Sequence, residues 1–463
     1  MMKIIRIYLP FALLIISATV HAQNVTATSA SNSVWKVGVS RVVITPKESM
    51  PMAGFASRTH SSEGMIHDLW AKALVFEDTK GKRAVMVSSD LLGFPKSVSD
   101  NIRNKLKSKY GLSKDQILLN SSHTHSGPVL GGALSDIYVL DKEQLDRITR
   151  YSESLEDMIV KMVGDAIRDL EPAEVYAQNG VTRFQVNRRN NNAALLTQLS
   201  ELQGPNDYAV PVIKIMNAKG DLKAVAFGYS CHPTVLNGYQ WSGDYPGFTQ
   251  LEIEKAHPGT TALFFQSAGA DQNPLPRNTI PLARQYGREL AAAVERVLEE
   301  DMKRVGPGLM TTYSELQLPL LPAPQEAELL NTSAKTANAY EKRWAERMLV
   351  ETRAGKKMIA SYPYPIQVWT IGELPVVSLG GELVVEYAIK VKQMLGAESF
   401  VFGYSNDVMN YIPSATILKE GGYEGDIAHV VYGLPSKWQT GIEAGILNEI
   451  FRLAGEAGAL KNR

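Results

Sequence analysis

The sequence predicts a mixed α/β protein, with multi-strand sheets, flanking helices and a functional site at the strand ends. Three observations point that way. Short apolar runs of strand length alternate with longer stretches of helical spacing. Gly, Pro and Asn punctuate the junctions. Polar, chemistry-bearing side chains recur just past the apolar runs, where α/β proteins build their sites.

The apolar run 84–89 reads as a buried strand ending at Asp90, and 97–110 has helical spacing that closes at Gly111. Residues 116–119 form a second short strand, which breaks into Asn120-Ser121-Ser122-His123-Thr124-His125-Ser126-Gly127-Pro128. A long amphipathic helix spans 145–170 and stops before Pro172. Residues 210–216 and 224–229 flank the turn 217–221 as a hairpin. A strand at 262–265 and a helix at 282–300 follow, then a polar helical excursion at 325–351. The chain closes with a hairpin at 366–379 through Gly372-Glu373, a helix at 384–395 and a strand at 400–402. There is no repeat and no long linker, so 34–463 reads as one catalytic domain.

Ahead of that domain, Lys3 and Arg6 precede an apolar run and the small-residue site Val20-His21-Ala22. Residues 1–22 therefore read as a cleavable signal peptide, too short for a membrane anchor. Residues 23–33 read as a mobile lead-in. The protein is expected to be secreted or periplasmic, with no transmembrane segment in the mature chain. Its single cysteine, Cys231, rules out an internal disulfide, so the fold must stand on its core. Lys+Arg and Asp+Glu both number 48 with no basic run, which excludes nucleic acid as a partner. A small-molecule or lipid substrate is the expected partner.

The H-x-H pair sits where a strand breaks into a turn. Its rings are expected to diverge, one ligating a metal and the other serving elsewhere. Further strand ends carry His232, Asp271 with Asn273, Glu382 and, beyond the last strand, Tyr411. Two imidazoles and a carboxylate from separate strand ends are the ligand set of a catalytic zinc with one position left open for water. Taken singly, each of these residues also reads as a turn or cap. Asp90, Asp244 and His67 read as caps of helices and turns.

With these motifs in place, the chain resembles the neutral (non-lysosomal) ceramidase family. The resemblance rests on Gly38 to Pro46, on Met52-Ala53-Gly54-Phe55 and on His123-Thr124-His125-Ser126-Gly127-Pro128. It continues in His232-Pro233, Gly381-Glu382 and the spacing from Tyr411 to Tyr423-Glu424. It implies a secreted zinc-dependent amidohydrolase cutting the amide of an N-acylated sphingoid lipid. It further implies zinc ligands His123, His232, Glu382 and Tyr411, with His125, Arg188 and Tyr423 around the substrate. Two departures bear on mechanism. Asn273 stands where the family carries a serine proposed as nucleophile, so attack by metal-bound water is expected, with Asn273 orienting substrate. The chain also ends about forty residues past Tyr423, leaving no room for the family's C-terminal immunoglobulin-like domain. Two alternatives stay open: another amide, ester or carbohydrate target, and a non-catalytic binding protein on a degenerate ceramidase fold.

Overall fold

The computed structural model describes residues 34–460. The signal peptide and lead-in expected at 1–22 and 23–33 lie outside the described residues.

A nine-stranded mixed sheet organises the molecule. Its main path uses β1 (Trp35–Val43), β2 (Trp70–Glu77), β3 (Arg83–Ser89), β4 (Ile117–Ser121), β5 (Glu171–Val181), β6 (Ala209–Asn217), β7 (Leu222–Tyr229) and β8 (Thr261–Gln266). The spatial order is β8-β7-β6-β5-β1-β2-β3-β4, with Lys303–Val305 added to β5. The interior pairs are antiparallel, whereas each end of the sheet is a parallel pair, β3–β4 and β7–β8. Parallel neighbours need a crossover. One is the helix Lys96–Tyr110, stopped by Gly111 in the left-handed region (φ 72°); the other is the helix Asp244–Ala256.

The two ends of this sheet curl round until they meet. Fully buried Asn120 on β4 accepts from Gln266 N on β8 at 2.8 Å and donates through Nδ2 to Gly403 O at 2.8 Å. Ser88 Oγ also reaches Phe264 O across this seam. Segment 402–406 lies along it, Gly403 N donating to Gln266 O and Asn406 N to Leu119 O. The C-terminal ends of β4, β7 and β8 are thereby gathered in one place.

A second sheet, β9 (Leu309–Pro319), β10 (Ser361–Ile371), β11 (Leu374–Leu379) and β12 (Phe400–Phe402), pairs in that order. Trp369, Ile371, Val376 and Phe402 from it pack with Trp35, Phe76, Leu118 and Phe265 of the first sheet. The helices Val385–Leu395 and Ile442–Glu456 cover its other face. Lys142–Arg168, begun by a capping box of Asp141 and Gln144, covers the first sheet together with Lys96–Tyr110.

Both expected hairpins form, 209–229 and 361–379. The polar excursion is two helices, Glu326–Lys335 and Ala339–Arg353, because Asn338 caps the second by accepting from Tyr340 N at 3.2 Å. β1, β2, β5 and β9 were not anticipated. Among the described residues no helix is long and apolar enough to cross a membrane.

Candidate active site

Four side chains converge past the strand ends. β4 stops at Ser121, Ser122 N still donating to Ser89 O at 2.8 Å. His123 then turns left-handed, with φ 62°. That conformation costs a non-glycine residue roughly 1–2 kcal/mol, so the surroundings must enforce it. They do so through the ring. His123 Nδ1 donates to Leu92 O at 2.6 Å, and the imidazole lies 4.5 Å from the Tyr404 ring centre.

The expectation that the two H-x-H rings diverge is overturned. Residues two apart on a strand share a face, and His123 is not extended in any case. His125 Nε2 comes to 3.2 Å from His123 Nε2. Gly54, at φ 104°, makes room for it, since a Cβ there would sit 2.5 Å from His125 Cγ. Phe55 packs on the same ring at 4.8 Å.

His232 follows β7 and is held at both ends, its N–H donating to Gln272 O at 2.9 Å and its Nδ1 to Gly269 O at 3.0 Å. Glu382 follows β11 in a two-residue ribbon with Tyr411–Ile412, in register with Tyr411. Gly381 before it has φ 69°, and a Cβ there would meet Asn410 O at 2.7 Å. Glu382 Oε2 lies 3.3 Å from His123 Nε2 and 3.3 Å from His232 Nε2.

These positions fit a divalent metal. With metal–ligand distances of about 2.0–2.1 Å, a tetrahedral shell spaces its ligand atoms roughly 3.3–3.4 Å apart, the separation observed here. Each Nδ1 faces a carbonyl, which only accepts, so the proton sits on Nδ1 and Nε2 offers a lone pair. His232 Nε2 and Glu382 Oε2 are buried and face each other without making a hydrogen bond. Burial lowers the His232 imidazole to about 4, and burial with the neighbouring imidazoles holds His125 well below its ordinary value. Burial pushes the Glu382 carboxyl up, and positive charge on the side of His123 and His232, a proton on their rings or a bound cation in its place, outweighs that and holds it well below the carboxylate range. Neutral imidazoles around an ionised carboxylate are what zinc takes as ligands. Among the described residues, ligand atoms of His123, His125 and His232 all lie within 4.8 Å of one another.

A second group borders the first. Gln185–Asn187 pairs antiparallel with Gln272–Pro274, setting Asn273 opposite Val186, and Arg188 N donates to Asp271 O at 2.8 Å. Arg188 Nε donates to Glu424 at 2.8 Å and its Nη2 to the Tyr411 hydroxyl at 3.1 Å. The guanidinium lies 5.6 Å from the Tyr411 ring centre and 5.8 Å from that of Tyr423. Burial disfavours its charge, but Tyr411 and Glu424 outweigh that, so Arg188 is a fixed cation. Asn273 is 7% exposed, and its Oδ1 has no hydrogen-bond partner.

Asp271, Asp244 and Asp90 act structurally. Asp271 accepts from Val385 N and Asn187 Nδ2, Asp244 from Leu236 N and Tyr245 N, and Asp90 from Trp70 N. His67 bonds Ser242 Oγ and Asp68 O. Sequence reasoning missed Tyr432, whose hydroxyl donates to Glu382 Oε1, and the Leu92 and Gly269 carbonyls, which carry no residue-type signal. Glu424 was within reach, being the neighbour of Tyr423 in a recognised motif.

The family model for the N-terminal part of neutral/alkaline non-lysosomal ceramidase matches residues 35–275. Among curated relatives, the neutral ceramidase of Pseudomonas aeruginosa is 25% identical over 278 residues, 57% of this chain and 40% of the relative. Neutral ceramidase A of Dictyostelium discoideum is 27% identical over 268 residues, 54% of this chain and 37% of the relative. The matched region thus spans well under half the length of these relatives. In three dimensions, the crystal structure of the Pseudomonas aeruginosa neutral ceramidase superimposes with TM-score 0.71 at 20% identity, covering 93% of this chain and 76% of that one.

Proposed function

The chain belongs to the neutral/alkaline non-lysosomal ceramidase family, and we propose that it is an exported, zinc-dependent amidohydrolase acting on an N-acylated sphingoid lipid. In this reading residues 34–463 form one catalytic unit behind a cleaved leader at 1–22. One observation carries the reading: two carbonyl-anchored imidazoles and a buried carboxylate, each drawn from a different strand end, meet at 3.3 Å.

Zinc held by His123, His232 and Glu382, with Tyr411 beside them, would polarise a carbonyl oxygen and bring the pKa of water toward about 7. The remaining steps fall to this chain's own side chains. Arg188, a fixed cation, orients the acyl carbonyl and then the product carboxylate through charge-assisted hydrogen bonds. Tyr423, beside Arg188 and 39% exposed, donates a hydrogen bond to the substrate. Neutral His125 takes a proton from water at a ring nitrogen and returns it to the departing nitrogen. Asn273 cannot form an acyl-enzyme; its unpartnered Oδ1 accepts from the substrate amide N–H. Water oxygen bonds to the carbonyl carbon, the C–N bond breaks, and the products are a fatty acid and a sphingoid amine.

Asn273 also favours a second reading, in which the same machinery cuts a different amide or an ester. Fatty-acid release from a short-chain ceramide, with and without a chelator, separates the two. Release abolished by chelation and restored by zinc supports the ceramidase reading. No release from folded, metal-loaded protein rejects ceramide as substrate.

A further inference from the structure

We propose that Tyr432 is the positioning residue of the Glu382 carboxylate, pinning one oxygen so that the other alone faces the imidazole nitrogens. The inference rests on the metal reading above. Tyr432 follows directly on the short helix Ala428–Val431, and its hydroxyl donates to Glu382 Oε1 at 2.5 Å. The second oxygen of the same carboxylate, Oε2, is the atom 3.3 Å from both His123 Nε2 and His232 Nε2.

A phenol ionises near pH 10, so at neutral pH it donates a hydrogen bond and brings no charge of its own. A carboxylate with both oxygens free can bind an ion through one or through both. A hydrogen bond on Oε1 takes that atom out of competition and fixes the plane in which Oε2 presents its lone pair. Held this way, Glu382 leaves a coordination position for water or substrate, which a second carboxylate oxygen would otherwise fill. The Tyr432 ring lines a small apolar cavity with Leu92, Pro128 and Val408. Leu92 is also the residue whose carbonyl orients His123. One packing cluster thus holds the hydrogen-bond partners of two candidate ligands.

The test titrates wild type, Tyr432→Phe and Glu382→Gln with zinc against a chromophoric chelator, then repeats the loading with cobalt(II). Tyr432→Phe is expected to bind zinc about 10–100-fold more weakly, while the melting transition of the metal-free protein stays at the wild-type temperature. Its cobalt visible absorption should weaken as the freed Oε1 joins the ion and the coordination number rises. Wild-type affinity together with an unchanged cobalt spectrum would overturn the proposal. So would a loss of affinity that tracks a loss of the metal-free melting transition, which would make Tyr432 a packing residue. Failure of the metal reading itself looks different: wild type binds no zinc, or Glu382→Gln binds it as wild type does.

Discussion

Replacing Asn120 by alanine opens the seam where the two ends of the main sheet meet. The side chain is fully buried and makes four hydrogen bonds. Oδ1 accepts from Gln266 N at 2.8 Å; Nδ2 reaches Gly403 O at 2.8 Å, Gln266 O at 3.2 Å and Ser405 Oγ at 3.2 Å. These losses are unequal. Gly403 O keeps Ser405 Oγ at 2.8 Å, and Gln266 O keeps Gly403 N at 3.1 Å. Gln266 N alone is left buried without a partner, at a cost of roughly 1–3 kcal/mol, with about 1 kcal/mol more for the donor bonds. Asn120→Ala should therefore lose about 3 kcal/mol. In a protein of this size that shifts Tm by only about 3 °C, because the unfolding entropy grows with chain length. Urea unfolding is the better assay, followed by tryptophan fluorescence and far-UV circular dichroism. A variant within 1 kcal/mol of wild type would refute the account of the seam.

Gly54→Ala places a Cβ 2.5 Å from the His125 ring at a backbone φ of 104°. It should cost on the order of 1–3 kcal/mol and lower hydrolysis of any substrate at least about 10-fold; wild-type turnover would remove Gly54 from the site. Burial raises Asp407 to about 7 although Tyr362 donates to it. Its contribution to stability is therefore full below about pH 4 and is lost as pH rises through about 7, by on the order of 3–4 kcal/mol. Asp407→Asn should flatten this part of the urea-stability profile; an unchanged slope would assign it elsewhere. Arg347 pairs with buried Asp136 at 2.7 Å while itself 29% exposed. Arg347→Met should cost about 2 kcal/mol, less than a fully buried pair, and a neutral result in urea would show that water reaches Asp136.

Elements bounded by punctuation were legible in the sequence. Gly111 closes a helix and Gly372 turns a hairpin, and both act through local backbone geometry. β5 was less legible, although Ala173, Val175 and Ala177 alternate inward, because Pro172 at its start reads as a terminator. β9 was obscured by half-exposed Thr and Ser positions. For the site, His123, His232 and Glu382 could be named because each follows an apolar run at a strand end. Tyr432 could not, since its partner lies 50 residues away and nothing local marks a tyrosine as a donor to a carboxylate. Nor does any residue type announce that two sheet edges will touch. The role of Asn120 follows from curvature that only the folded sheet has.

His123, His232 and Glu382 belong to three successive thirds of the chain, joined only where the curled sheet and the second sheet come together. An unfolded or partly synthesised chain therefore offers an ion no chelating motif beyond the H-x-H pair. Metal bound by the folded form and not by the open chain adds about 4 kcal/mol of stability at a thousand times its Kd. On the proposed metal reading, retention of the ion would report that the last third of the chain has docked, so demetallation and proteolytic vulnerability should rise and fall together.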